Sequence, residues 1–323
     1  MKKVLFTGDT LTDETRAALR AKGYEFIPAP YDLAASEVAS RLKECDGYIL
    51  GGDEIANAEM LEQAGDKLKA ISFFGAGYEK YIDVSAATKK GILVANTPAA
   101  NADSVAEFTV ALIMSAVKDI PKNNKAIKAG VWSRPMTFDL KGKTIGIIGL
   151  GNIGERVAKI LNKGFGANII YTSRNAKPNI EKEYSAKRVF LEELLKVSDI
   201  ITIHASLTEE TKDMIGEYEF SLMKSGVIVV DTARVEIINE HALVKALKEG
   251  RIAKCAFDGF YEEPVDESVV ARHELLSLGE DKFIVTPHMA YYTSDAISKM
   301  EQMSIENIIQ ILSGLPCANI VGR

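Results

Sequence analysis

The stretch that decides the fold is "KTIGIIGLGNIGERVAKI", residues 143–160. Its first six residues are mostly β-branched and apolar, which suits a buried strand. Its last six place apolar side chains at helical spacing. Between them lies a G-x-G-x-x-G hexamer, Gly149 to Gly154. A glycine-rich hexamer alone is weak evidence, but one that leaves a strand and opens a helix is the context of a dinucleotide fingerprint. Each glycine has a physical task there. Gly149 makes the tight turn, Gly151 lets the backbone approach a pyrophosphate, and Gly154 lets helix and strand pack closely. The helix start at Asn152 and Ile153 offers unpaired N–H groups and a partial positive charge to phosphate.

The same alternation extends both ways. Upstream, "KVLFTG", "YEFIPA", "DGYILGG", "LKAISFFGAG" and the run at 92–95 read as strands, separated by amphipathic helices such as "DETRAALRAKG" and "AEMLEQAG". Downstream, "ANIIYTS", "DIITIHA", "GVIVVDTA", "IAKCAFDGF" and "FIVTPH" continue the pattern, and "TSDAISKMEQMSIENIIQILSG" reads as a last helix. A long helix with apolar residues at 105, 108, 112, 113, 116 and 117 separates the two series, followed by an irregular stretch holding the single tryptophan, Trp132. Strand–helix alternation implies parallel sheets covered on both faces, with ligands bound beyond the carboxyl ends of the strands. A chain of 323 residues is long enough for two such domains.

Composition narrows the function. The chain is 47% hydrophobic and 26% charged, with a net charge of −6, which argues against nucleic acid or an anionic membrane as the main partner. No apolar run reaches the length of a membrane span, and Asp9, Asp13 and Glu14 interrupt the apolar N-terminal start. Cys45, Cys255 and Cys317 are far apart, show no metal spacing, and fit reduced thiols in the cytoplasm.

The adenosine end of a dinucleotide site is read at the close of the second strand, where an Asp or Glu binds the ribose hydroxyls of NAD. Here the strand runs into "IIYTSRNAKP", and Ser173 stands in that position with Arg174 next. A carboxylate repels a 2′-phosphate and an arginine attracts it. The pair favours NADP over NAD; the alternative is an Arg174 that stacks on adenine or is only a solvated surface charge.

Three further stretches carry chemistry: "DTARVEI" (231–237), "FDGFYEEP" (257–264) and "TPHMAYYT" (286–293). Arg234, Asp258 and His288 each fall at or just past a strand end, and Glu263 follows Asp258 by five residues. Reduction of a 2-oxo acid needs a cation for the carboxylate, an acid to protonate the forming alkoxide, and a group that favours the charged acid. Arg, His and Glu have these chemistries.

These stretches, with "GAGYEKYID" (75–83), "NTPAANADSVAEFTVALIM" (96–114) and "DIITIHASLTEET" (199–211), in this order over nearly the whole chain, resemble the D-isomer-specific 2-hydroxyacid dehydrogenases. The resemblance implies an α/β protein of two doubly wound parallel-sheet domains. One is a flavodoxin-like substrate domain, 1–98 plus 287–323, and the other a Rossmann nucleotide domain, 99–286. It implies a homodimer acting on a small 2-oxo or 2-hydroxy acid without a metal. Arg234 would bind substrate, His288 would be the acid/base, and Glu263 its partner. Gly75, Ala76 and Gly77 would offer backbone donors to the substrate carboxylate. Ala205, Ser206, Thr232, Ala233 and Asp258 would join the glycine loop in holding the cofactor.

Two departures from the family pattern are Ser206, where Pro is frequent, and Val235–Glu236, where Gly usually follows the arginine. Neither removes a reacting group. His204 is read as structural, His241 and His273 as surface helix residues, and Glu262 as a neighbour of the functional Glu263. Phe74, Tyr78, Met289, Tyr291 and Tyr292 either line a substrate pocket or belong to the core. A nucleotide-binding sensor or corepressor on the same fold is the alternative function. The substrate and the physiological direction are not legible.

Overall fold

The computed structural model describes residues 1–322. They form two compact units, one from 1–101 with 293–322 and the other from 102–292. The division falls a few residues later than 99 and 287, so residues 287–292 and His288 belong to the second unit. The physical cause is local: the amides of Met289 and Ala290 are bound by Asp258 of that unit.

The first unit is built on β1 (Lys2–Thr7), β2 (Tyr24–Ala29), β3 (Gly47–Leu50), β4 (Ala70–Phe73) and β5 (Leu93–Ala95). All pair in parallel in the order β2-β1-β3-β4-β5. The helix Asp13–Ala21 shows why these segments stop where they do. Thr12 caps it by accepting the Thr15 amide, Asp13 and Glu14 lie in the first turn and Arg20 in the last, all favourable to the helix dipole. Gly23, at φ +88°, then turns the chain into β2. The final helix, Ser294–Leu312, packs on β3 and β4. Cys45 and Cys317 are buried in this unit.

The second unit holds β6 (Thr144–Ile148), β7 (Asn168–Thr172), β8 (Lys187–Arg188), β9 (Ile200–Ile203), β10 (Val227–Asp231), β11 (Ile252–Asp258) and β12 (Phe283–Thr286). Their order is β12-β11-β10-β9-β6-β7-β8, again parallel throughout. The strand order reverses between β6 and β9, which places the glycine loop at the switch point where such sheets take ligands. Ile145 and Ile147 of β6 face one apolar layer with Ile200 and Val230, while Ile148, Ile203 and Val229 face another. Cys255 is fully buried on β11.

Several elements differ from the sequence reading. The long helix begins at Ala102 rather than 105. A helix at Ile120–Lys128 was not expected; it buries no residue and starts with a proline in its first turn, so it carries no apolar period to find. The helix after the glycine loop is α-helical only over Asn152–Lys159 and continues as a π turn, Ile160–Gly164.

Candidate active site

The glycine loop has the shape a pyrophosphate needs. Gly149 is at φ +93°, and a side chain there would strike the backbone of His204 and Ala205. Gly154 is equally constrained, because a Cβ would collide with the Gly149 carbonyl oxygen. Gly151 is different: a Cβ there would meet nothing within 4 Å. Protein packing therefore explains the first and third glycines but not the middle one, whose open face fits a cradle for an incoming phosphate. The helix N-terminus at Asn152 lies beside it.

Ala205 packs its amide against Gly149, and Ser206, exposed, accepts the Thr211 hydroxyl at its carbonyl, 2.7 Å. His204 bonds the Thr202 hydroxyl through Nε2, 2.9 Å, while its buried Nδ1 has no partner. The residue is partly exposed as a whole, but its Nδ1 is buried, and burial pushes the imidazole down to about 3. It stays neutral at physiological pH.

The loop after β7 carries Ser173 and Arg174. Ser173 Oγ donates to the Asn175 carbonyl, 2.6 Å. Arg188 of β8 donates to the carbonyls of Ser173 and Arg174, at 2.8 and 2.9 Å. Arg174 itself is exposed. Arg188 was not among the residues singled out by sequence; nothing in its own surroundings along the chain marks it.

β10, β11 and β12 are neighbours and parallel, so their carboxyl ends share one edge of the sheet. At that edge Glu263 bridges two elements. Its Oε1 accepts the Phe260 amide, 2.9 Å, and its Oε2 lies 3.1 Å from His288 Nδ1. The turn works because Gly259 is at φ +109°; a Cβ there would sit 2.7 Å from Glu263 Oε1. His288 has a positive φ of 50°, unusual for a residue with a side chain. Such strain persists only where neighbours impose it, and Asp258 does so. Asp258 Oδ1 accepts the Thr286 hydroxyl (2.7 Å) and the Met289 amide (2.9 Å), and Oδ2 the Ala290 amide (2.7 Å). Both carboxylate oxygens of Asp258 thus hold the loop that carries His288.

Arg234 follows β10 and donates from Nη1 to the Ala233 carbonyl, 2.8 Å. Thr232 is buried with its hydroxyl 2.8 Å from that of Thr109. The neighbour Glu262 pairs with Arg272 and His273 instead of His288. His273 is not a surface helix residue: it joins two short helices and lies 2.6 Å from Glu240. Hydrogen bonds it donates to Glu240, and then to Glu262, hold its imidazole above the ordinary value against some desolvation. His241 is an exposed helix residue, as read.

In the first unit, the carbonyls of Gly75 and Ala76 bind the Thr97 amide and the Asn96 side chain. The N–H groups of residues 75–77 find no partner among the described residues. Phe74 packs against Phe6 with ring centres 5.4 Å apart, and Tyr78 joins the apolar layer around Phe73 and Ile82. Both are partly buried and pack against the core. Met289 and Tyr292 are exposed, and the Tyr291 ring stands edge-on to His288 at 6.1 Å.

Residues 110–290 match the family described as D-isomer specific 2-hydroxyacid dehydrogenase, NAD binding domain. The chain is 40% identical over 309 residues to glyoxylate reductase from Aeropyrum pernix, covering 93% of this chain and 88% of that one. It is 36% identical over 324 residues to D-3-phosphoglycerate dehydrogenase from Methanocaldococcus jannaschii, covering 99% of this chain and 59% of that longer one. A crystal structure from Thermus thermophilus superposes with a TM-score of 0.87 at 29% identity, covering 99% of this chain and 100% of the other. The chain belongs to the D-isomer-specific 2-hydroxyacid dehydrogenase family. It is an oxidoreductase of 2-hydroxy acids that uses a nicotinamide cofactor. No helix among the described residues is long and apolar enough to cross a membrane, and no group of them could hold a metal ion.

Proposed function

We propose that the protein reduces a short 2-oxo acid with NADPH, using Arg234, Glu263 and His288. The observation that carries the site assignment is the Glu263 bridge, in which one carboxylate is fixed by the Phe260 amide and orients His288 at Nδ1. That bond sets the orientation of the ring and leaves Nε2 to face the substrate. The bound nicotinamide supplies the hydride for C2. Arg234 then holds the substrate carboxylate by charge-assisted hydrogen bonds, and His288 gives its Nε2 proton to the oxygen. Water or bulk acid reprotonates the imidazole. Asp258 acts one layer back, holding the loop that presents His288.

The preference for NADPH rests on Ser173, which brings no charge, and on Arg174, which is exposed and available to a 2′-phosphate. Glyoxylate is the first substrate to test, because the relative sharing 40% of its residues is a glyoxylate reductase. A homodimer in the cytoplasm is the matching assembly and location. Exposed Val131, Trp132 (78%) and Met136 (98%) on the second unit support the dimer.

Steady-state kinetics test the reading. His288→Gln should lower kcat by about 10²–10⁴-fold with cofactor affinity retained. Arg234→Ala should also raise KM for the oxo acid by roughly tenfold or more, the loss of a charged hydrogen bond. KM for NADPH should lie below that for NADH, and Ser173→Asp with Arg174→Ala should reverse the order. Wild-type turnover in His288→Gln would remove the acid assignment. An NADH preference in the unaltered protein would remove the cofactor assignment and leave the reaction standing.

A further inference from the structure

We propose that Asp231 is a positioning residue for Arg234: as a neutral carboxylic acid it fixes the turn that presents the guanidinium, and when ionised it competes with the substrate carboxylate for that guanidinium. The inference rests on the reading of Arg234 as the substrate anchor.

Asp231 is the last residue of β10 and has no exposed surface. Alternation along the strand puts it on the face of Val227 and Val229, whose apolar layer includes Val235, Ile237 and Phe257. Its Oδ1 accepts the Ala233 amide at 2.7 Å, a side-chain turn that spans Thr232. The Ala233 carbonyl in turn accepts Arg234 Nη1 at 2.8 Å. Residue 233 is therefore held at its amide by Asp231 and at its carbonyl by the arginine. Asp231 Oδ2 is buried without a partner.

That arrangement suits an uncharged group. A carboxylate with one oxygen bare in apolar surroundings carries a far larger desolvation cost than a neutral acid. The titratable and charged groups facing it are Arg234 and Glu236 from its own loop, Cys255 from β11 and Tyr261 from the turn after β11. Burial pushes the carboxyl up to about 7, against the opposing pull of the Ala233 and Arg234 amides and the Arg234 charge. Asp231 therefore changes charge near neutrality, and the nearest cation to answer is Arg234.

The test compares the unaltered protein with Asp231→Asn, which keeps the Oδ1 acceptor and never ionises, and Asp231→Ala, which has no acceptor. KM for glyoxylate is measured with saturating NADPH from about pH 5.5 to about pH 9. Any pH effect common to the three proteins cancels in a ratio. The ratio of unaltered to Asp231→Asn KM should be near one at the acid end and rise about fivefold or more through a midpoint of about 7. Asp231→Ala should raise KM at every pH by about tenfold, with NADPH affinity retained. A flat ratio, or an Asp231→Ala KM equal to the unaltered one, overturns the proposal.

A second measurement does not depend on activity. With its carboxyl raised in the folded state, Asp231 lends its full stability below the unfolded value of about 3.9. That contribution is lost as pH rises to about 7 and is constant above. Thermal midpoints of the unaltered protein should fall relative to Asp231→Asn across that window; parallel midpoints overturn the neutral acid even where Asp231→Ala does not fold. Arg234→Ala separates the two readings. If it leaves KM unchanged, the anchor assignment and this proposal fall together; if it raises KM while the ratio stays flat, only the role of Asp231 falls.

Discussion

His288 is held at a positive φ of 50° by a carboxylate that never touches its ring. Asp258 fixes the two amides that follow it, and Glu263 fixes the ring itself. The constraint on Glu263 comes from Gly259, whose φ of +109° is accessible to glycine and costly for any other residue. Gly259→Ala would place a methyl group 2.7 Å from Glu263 Oε1. A displaced carboxylate misorients the imidazole by a fraction of an ångström to an ångström, which costs up to about 10²-fold in rate. We therefore expect Gly259→Ala to lower kcat by about 10–10²-fold while NADPH affinity stays within about twofold. Unchanged kcat would mean that Glu263 tolerates displacement and that its geometry is not what orients His288.

At the scale of elements, the regular strands and the larger helices were legible because each buries one periodic face. The strand β6 and the helix at Asn152 are fixed by a β-branched run, three glycines and a helical apolar stripe. What escaped was whatever lacks such a stripe: the solvent-covered helix Ile120–Lys128, the short helix Pro178–Tyr184, and the two-residue strand β8. The π turn after Lys159 escaped for another reason: its residues keep helical spacing, and only hydrogen-bond register distinguishes it. In the site, Arg234, Glu263 and His288 stood out because their residue types suit one chemistry. The partners of Asp258 and Asp231 did not, because a buried carboxylate's acceptor role depends on amides that the strands bring to it.

The glycine loop turns this distinction into a measurement. Gly154→Ala must push apart the Gly149 carbonyl and the helix, an overpacking cost of about 1–3 kcal/mol. It should lower the thermal midpoint of the cofactor-free protein and weaken NADPH binding together. Gly151→Ala meets no protein atom, so the midpoint should stay while NADPH binding alone weakens, by about tenfold or more. Retained NADPH affinity in Gly151→Ala, measured by fluorescence titration, would place the pyrophosphate elsewhere.

At the scale of the whole molecule, the chain builds two units, each with its own parallel sheet and apolar layers, and leaves the first at residue 101 to return at 293. Its three thiols are all buried: Cys45 and Cys317 in the first unit, Cys255 in the second. Burial raises the thiols of Cys45 and Cys255, so neither offers thiolate at neutral pH while its unit is closed. An alkylating reagent consequently finds nothing to modify until the structure opens, and the modified position records where it opened. The protein carries its own timer for sub-global opening, read by peptide mass and needing no introduced label. NADPH at about 100 times its Kd should slow alkylation of Cys255 by about 100-fold, since only the closed second unit binds it. If Cys45 and Cys317 keep their original rates, the two units breathe separately; equal slowing of all three would show one cooperative body. Unslowed Cys255 would show that its exposure precedes any loss of the cofactor site.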